Sequence, residues 1–141
     1  MARILVVDDE PDILMVVRLS LEAHGHEVLL AADGRMALDR LTGHLPDLVL
    51  LDLMMPVLDG WGVLVALRDR PEEVPVVVLS ALVGNKAAER RAYDLGALDV
   101  VGKPFEVDAL LRRVDELLAL DAVGRCRRRD RRRVECGIDD D

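Results

Sequence analysis

The stretch VLLDLMMPVLDG, residues 49–60, decides the fold of this chain, because an apolar run ends on one carboxylate and passes at once into a loop with proline and glycine. Residues 48–51 are apolar throughout, which is typical of a strand buried on both faces of a parallel sheet. Asp52 is therefore predicted to end a strand. Ligands bind at that edge of an open α/β sheet, so Asp52 is interpreted either as a functional carboxylate or as a cap for the following turn.

The same alternation of short apolar runs and helical patterns extends in both directions from this stretch. Five strands alternate with five helices, which predicts an α/β fold with a parallel sheet, helices on both faces and right-handed crossovers. The predicted strands are residues 4–7, 28–31, 48–51, 76–79 and 98–101, and the predicted helices are approximately residues 11–24, 36–41, 60–70, 85–95 and 107–118.

Polar side chains follow four of the five predicted strands. Asp8 and Asp9 come after the first strand, Asp52 after the third, Ser80 after the fourth and Lys103 after the fifth. Because the carboxyl ends of parallel strands meet at one edge of the sheet, we expect these side chains to lie together. A random scatter of polar residues would not follow strand ends in this way, which favours the functional interpretation of Asp52.

The chemistry of this edge follows from its charges. Three clustered carboxylates repel one another and need a cation, and an all-oxygen site suits Mg²⁺. With Lys103 as a cation and Ser80 as a hydroxyl donor, the edge could hold a phosphoryl group. Asp52 is then the natural nucleophile, because a carboxylate can accept phosphoryl to form an acyl phosphate. No histidine or second strong base is predicted nearby, so hydrolysis should be slow.

Composition limits the class of protein. The 141 residues are expected to form one main domain, and with 51% hydrophobic but only 2% aromatic residues its core must consist of Val, Leu, Ala and Ile. The net charge of -8 argues against a general nucleic-acid binder, because phosphate contacts need a cationic face. The sequence lacks both a run of the ~20 apolar residues needed to span a bilayer and a signal-peptide pattern, which predicts a cytoplasmic protein without membrane contact.

The pattern of apolar residues ends after residue 120. Residues 125–133 contain seven arginines and the chain closes on three aspartates, so we predict a domain over residues 1–120 and an Arg-rich, disordered tail over 121–141, or a frayed extension of the fifth helix. The arginine run could instead bind nucleic acid, but a solvated charged tail is favoured. Cys126 and Cys136 are interpreted as free thiols.

The three histidines are candidate metal ligands only by their spacing. His24 and His26 could face one metal, but no third ligand is near in sequence, so both are interpreted as turn residues. His44, in the following loop, is interpreted in the same way.

Four motifs, residues 8–10, 52–56 with 59–60, 80–81 and 103–105, together resemble the receiver domain of two-component response regulators. The resemblance covers residues 2 to about 119. It implies a flavodoxin-like, doubly wound fold of five βα units with strand order 2-1-3-4-5. It also implies that Asp52 is phosphorylated by a histidine kinase, a phosphotransfer protein or a small phosphodonor.

The resemblance further implies roles for the residues around Asp52. Asp9 and Asp52, with the backbone carbonyl of Met54, would ligate Mg²⁺, while Asp8 acts directly or through water. Lys103 would pair with the phosphoryl group.

The same family has a hydroxyl that moves toward the phosphoryl group, here Ser80, and an aromatic residue that follows it. Three residues before Lys103, where that aromatic usually stands, this chain has Val100. This replacement bears on how phosphorylation is coupled to partner binding, and it does not bear on the phosphorylation chemistry itself. The apolar residues Met54 and Leu82, two positions beyond Asp52 and Ser80, cannot orient an attacking water, which predicts a long-lived acyl phosphate.

The sequence therefore predicts a phospho-acceptor switch, not an enzyme beyond self-phosphorylation and slow autodephosphorylation. It would bind a downstream protein through the face of the fourth helix, fifth strand and fifth helix, with homodimerisation on phosphorylation as a further expectation. One alternative is an aspartate-nucleophile phosphatase, which needs an acid/base carboxylate where Met54 stands. Another is a truncated receiver of a longer DNA-binding regulator, because about twenty tail residues cannot supply a DNA-binding domain.

Overall fold

The computed structural model describes residues 2–43, 45–81 and 84–137, with side chains described as far as residue 135. The predictions made for His44, Leu82, the side chain of Cys136 and the last four residues lie outside the described residues.

A five-stranded parallel sheet forms the centre of the molecule, with strand order β2-β1-β3-β4-β5. This confirms the predicted fold and strand order. Because β3 is the middle strand, its last residue, Asp52, lies at the centre of the carboxyl edge. The strands are β1 Arg3–Val7, β2 Glu27–Ala31, β3 Leu48–Asp52, β4 Val76–Ser80 and β5 Asp99–Gly102.

In the described ranges six helices accompany the sheet, and the first five agree with the predicted helices to within a few residues. Among the described residues no helix is both long enough and apolar enough to cross a membrane. The helices are α1 Pro11–Ala23, α2 Gly34–Arg40, α3 Gly60–Arg68, α4 Lys86–Asp94, α5 Val107–Leu118 and α6 Ala122–Gly137.

Both faces of the sheet are buried, as the apolar strands predict. Alternate residues along a strand point to opposite faces, so Val49 and Leu51 belong to one core and Leu48 and Leu50 to the other. The first core contains buried residues of α2, α3 and α4, and the second contains those of α1 and α5. The helices therefore cover both faces of the sheet.

The C-terminal tail differs from the predicted disorder. Residues 122–137 form α6, a separate helix that packs against α4. Three of its arginines form ion pairs with Glu73 and Asp99 of the domain. The prediction of disorder rested on the repulsion among the arginines and on the lack of apolar residues to bury. The folded domain supplies carboxylates that offset this repulsion.

Candidate functional site

The carboxyl edge of the sheet brings the predicted polar residues together. The strand register aligns Val7 with Leu51 and Asp52 with Leu79, so β1, β3 and β4 end at a similar level. The polar residues there are nearly inaccessible, with exposed fractions of 0% for Asp8, 4% for Asp52 and 2% for Ser80. Burying carboxylates without partners is costly, so this edge must contain compensating charge.

Lys103 supplies that charge. Its Nζ lies 2.8 Å from Oδ2 of Asp8, 3.1 Å from Oε1 of Glu10 and 3.5 Å from Oδ2 of Asp52. Its backbone N–H donates to the carbonyl oxygen of Ser80 at 3.0 Å, which ties the end of β5 to the end of β4. One ammonium therefore bridges three carboxylates that come from two separate segments of the chain.

The protonation state of Lys103 follows from these contacts. Burial lowers the pKa of the lysine, but hydrogen bonds to Asp8 and Glu10 and the charges of Asp8 and Asp52 outweigh this effect and raise the pKa to about 12. The side chain is therefore a permanent cation at neutral pH.

The Asp52 carboxylate lies between opposing influences. Burial raises its pKa, and the neighbouring negative charge of Asp8 raises it further. Lys103 lowers the pKa, as does the backbone N–H of Met54, which donates to Oδ1 of Asp52 at 3.3 Å. The carboxylate thus has one donor at each oxygen and is more basic than an ordinary aspartate, which suits a nucleophile.

The loop after Asp52 is held closely against the end of β3. Gly60, the first residue of α3, donates its N–H to the carbonyl of Leu53 at 2.9 Å. A Cβ on Gly60 would overlap the backbone oxygen of Asp52, so only glycine allows this approach. In the same loop Val57 has a φ of +71°, a left-handed conformation that is strained for a β-branched residue.

The candidate metal site lies on the segment after β1. Carboxylate oxygens of Asp8, Asp9 and Glu10 lie within 4.8 Å of one another, with Asp8 buried and the other two exposed. Oδ1 of Asp8 accepts the backbone N–H of Glu10 at 2.9 Å, which orients the group. An all-oxygen set of this kind fits Mg²⁺, a hard cation that also retains water ligands.

The membership of this group differs in part from the predicted ligand set. Glu10 was not among the predicted site residues, although the run of three acids after the first strand was a signal for it. Asp52 lies outside the group of three and is linked to it through Lys103. The role of the Met54 backbone carbonyl as a Mg²⁺ ligand stays a prediction.

Ser80 and Val100 line the same small cavity beneath α4, together with alanines of that helix and Leu53. The aromatic side chain usual in the resembled family is much larger than valine. The hydroxyl of Ser80 and the valine that replaces the usual aromatic residue therefore line the same cavity.

The histidines lie away from this edge, in the turn between α1 and β2. Nδ1 of His24 lies 3.0 Å from the carbonyl of Ser20, and Nδ1 of His26 accepts the backbone N–H of Ala2 at 3.2 Å. These contacts are those of the predicted turn residues, and in the described part of the chain neither histidine joins a group of metal-ligating side chains.

A doubly wound parallel sheet with a buried aspartate, an acidic group and a lysine at its carboxyl edge defines a phospho-acceptor class of α/β domain. The chain belongs to the response regulator receiver domain family, whose model matches residues 4–115. It is therefore a receiver domain of two-component signalling, as the motifs predicted.

Individual relatives agree with this assignment. The response regulator MprA of Mycolicibacterium vanbaalenii is 45% identical over 117 residues, a match covering 82% of this chain and 50% of that protein. The DNA-binding dual master transcriptional regulator RpaA of Synechocystis is 41% identical over 120 residues, covering 84% and 49%. The chain thus spans about half the length of the curated relatives it matches.

Solved structures give the same fold. The response regulator TrrA of Thermotoga maritima, in complex with Mg²⁺ and BeF, is 32% identical with a TM-score of 0.73. The match covers 83% of this chain and 99% of that one.

Proposed function

We propose that Asp52 accepts a phosphoryl group from a histidine kinase, a phosphotransfer protein or a small phosphodonor in the cytoplasm. The phosphorylated domain then changes its binding to a downstream protein. The observation that carries the proposal is the buried Asp52 carboxylate at the end of the central strand, 3.5 Å from a permanently charged Lys103.

The transfer step uses the carboxylate as nucleophile. An oxygen of Asp52 attacks phosphorus, the P–N bond of the donor phosphohistidine breaks, and the released imidazole takes a proton from solvent. The product is an acyl phosphate whose dianionic oxygens lie beside the ammonium of Lys103. That ammonium offsets the added charge at a position where solvent screens poorly.

The residues present fit a Mg²⁺ ion, which when bound would neutralise charge on the phosphoryl oxygens during transfer. We propose that the ligands of this ion are Asp8, Asp9, Asp52 and the backbone carbonyl of Met54. The grouping of Glu10 with Asp8 and Asp9 makes Glu10 a further candidate, directly or through water.

Output is proposed to use the face formed by α4, β5 and α5. Ser80, buried at the end of β4, is the hydroxyl expected to move toward the phosphoryl group. Because Val100 is stiff about χ1 and small, we expect the backbone at the start of α4, and not a side-chain flip on β5, to carry the change.

Exposure of the protein to acetyl phosphate with Mg²⁺, followed by mass spectrometry, tests the proposal. Wild type should gain one phosphoryl group, mapped to Asp52, and Asp52→Asn should gain none. Asp59→Asn is the matched control, because Asp59 lies in the same loop but caps α3 through the N–H of Gly62. Full labelling of Asp52→Asn would overturn the assignment.

A second candidate is the receiver portion of a longer transcription regulator. The observation favouring it is that the match covers only half of MprA and RpaA, and the name of RpaA describes DNA binding. The mass of the endogenous protein decides between the two candidates: a product about twice this length supports the longer regulator, and a product of this length excludes it.

A further inference from the structure

One face of α6 carries a row of arginines that point at the domain. Arg125, Arg128 and Arg129 recur at the spacing that places residues on one side of a helix, and all three are partly buried. We call these three residues the basic stripe. Arg127 and Arg131, by contrast, are exposed on other sides of α6.

The basic stripe meets carboxylates from two other parts of the chain. Arg125 and Arg129 pair with Glu73, in the segment before β4, at 2.8 and 3.4 Å. Arg128 reaches Oδ2 of Asp99, the first residue of β5, at 3.0 Å. Glu73 and Asp99 therefore form an acidic face that receives the helix.

Charge, and not apolar burial, holds α6 in place. Its valines Val123 and Val134 are 58% and 70% exposed, so they contribute little hydrophobic contact. The Nε atoms of Arg125, Arg128 and Arg129 are buried without a hydrogen-bond partner among the described residues, which opposes docking. A helix held in this way is sensitive to ionic strength.

The acidic face is also built to tolerate the departure of α6. Asp99, only 1% exposed, accepts the hydroxyl of Tyr93 at 3.3 Å and the N–H of Val100 at 2.9 Å, and pairs with Arg113 of α5. When Arg128 leaves, three partners remain, so no buried charge is stranded. This arrangement differs from a core contact, whose loss would expose apolar surface.

We propose that the acidic face of Glu73 and Asp99 is a docking surface for arginine-bearing helices, and that α6 is its displaceable ligand in cis. An external partner would be a helix with arginines at the same spacing. Because α6 packs against α4, which belongs to the output face, the regulatory consequence rests on the proposed function. If the output face binds a downstream protein, only molecules with α6 undocked are competent to bind it. The apparent affinity for that protein is therefore reduced in proportion to the fraction of molecules in which α6 stays docked.

A labelled peptide of residues 121–137, added to the full-length chain, tests the docking surface. In wild type α6 occupies the face at high effective concentration, so the peptide should bind weakly. Of the described ion pairs between α6 and the domain, the full-length variant Arg125→Glu with Arg128→Glu keeps only the longer ones, Arg129 with Glu73 at 3.4 Å and Arg133 with Asp94 at 3.7 Å. We expect α6 to leave the face in this variant, and the peptide should bind at least about tenfold more tightly. The matched control, Arg127→Glu with Arg131→Glu, changes the net charge equally on exposed positions and should behave as wild type.

Equal peptide affinity for all three proteins would overturn the proposal, as would tighter binding to the control. Hydrogen exchange on wild type supplies a second measurement that needs no variant. Raising NaCl from about 0.02 to about 0.5 M should speed exchange in α6 and leave the strands unchanged. Exchange in α6 as slow as in the strands at both concentrations would show that α6 is part of the core and overturn its role as a ligand.

Both measurements use unphosphorylated protein without Mg²⁺. Failure of Asp52 to accept phosphoryl therefore leaves the docking result intact, and a failed docking result leaves phosphorylation intact.

Discussion

Nζ of Lys103 lies 2.8 Å from Oδ2 of Asp8, closer than to the candidate phospho-acceptor Asp52 at 3.5 Å. In the unphosphorylated domain the ammonium of Lys103 therefore pairs most closely with Asp8, a fully buried carboxylate that directly follows β1. A phosphoryl group on Asp52 would compete for the same ammonium. Asp8 thus forms an ion pair with Lys103 and also belongs to the acidic group, with Asp9 and Glu10, that fits Mg²⁺.

Replacing Lys103 by Gln should destabilise the protein most when Mg²⁺ is absent. The substitution leaves Asp8, Glu10 and Asp52 without their shared cation, and we expect a loss of roughly 1–3 kcal/mol in the free energy of unfolding. Urea unfolding with and without Mg²⁺ measures it, and Mg²⁺ should restore part of the loss. Lys86→Gln, at an exposed position, is the control; an equal effect of both substitutions would contradict the expectation.

Asp9→Asn should weaken Mg²⁺ binding more than Glu10→Gln does. Asp9 is exposed, and among the described residues the carboxylates that pair with Lys103 are those of Asp8, Glu10 and Asp52. Glu10 pairs with that lysine at 3.1 Å. Removing a ligand costs metal affinity directly, so we expect a decrease of about tenfold or more for Asp9→Asn. Titration calorimetry with Mg²⁺ gives the two affinities. Unchanged affinity in Asp9→Asn would remove Asp9 from the site.

Val57→Gly should raise the free energy of unfolding. Valine at a φ of +71° is strained by about 1–2 kcal/mol, while glycine adopts this conformation without strain. The greater freedom of glycine in the unfolded chain offsets part of the gain, leaving up to about 1 kcal/mol. Thermal unfolding measures the difference. A lower melting temperature for the variant would show that the valine side chain has contacts worth more than the strain.

The contribution of Glu73 to α6 docking should depend on pH. Its hydrogen bond with Arg125 is the main cause that lowers the pKa of Glu73 below its ordinary 4.5, with Arg129 adding to the effect. A group whose folded pKa is lowered stabilises fully above its unfolded pKa and loses this contribution as the pH falls through the folded pKa. The stability difference between wild type and Glu73→Gln should therefore be constant near neutral pH and shrink as the pH falls below about 4.5. A difference that grows in acid would contradict this sign.

Activation should alter the start of α4 more than β5. Val100 cannot exchange between two pockets as an aromatic ring can, so the change around Ser80 must pass to the backbone. Hydrogen exchange with and without beryllofluoride should differ most at residues 81–90, of which 82 and 83 lie outside the described residues, and little at residues 99–101. The largest change in β5 would show that Val100 is coupled after all.

Much of the fold was readable from local patterns. Apolar runs such as residues 48–51 predict buried strands because side-chain alternation and burial repeat over a few residues. The placement of Asp52, Ser80 and Lys103 at strand ends then followed from the parallel topology. Glycine at position 60 is a local signal too, although its reason, the close approach of α3 to Asp52, is visible only after folding.

The amino-acid sequence by itself determined the βα alternation, the strand order implied by its motifs and the carboxyl edge where the polar residues meet. Only the tertiary structure decided which charged residues are in contact. Lys103 pairs with Glu10 across 93 positions at the carboxyl edge, and Arg125 pairs with Glu73 across 52 positions elsewhere in the molecule. The arginine run was predicted to be disordered or a frayed extension of the fifth helix because its own charges repel. In the structure it forms a separate helix, whose arginines pair with carboxylates that are distant in sequence. Local burial patterns recur along the chain and can be read there, whereas Coulomb interactions depend on distances in space, which the fold alone sets.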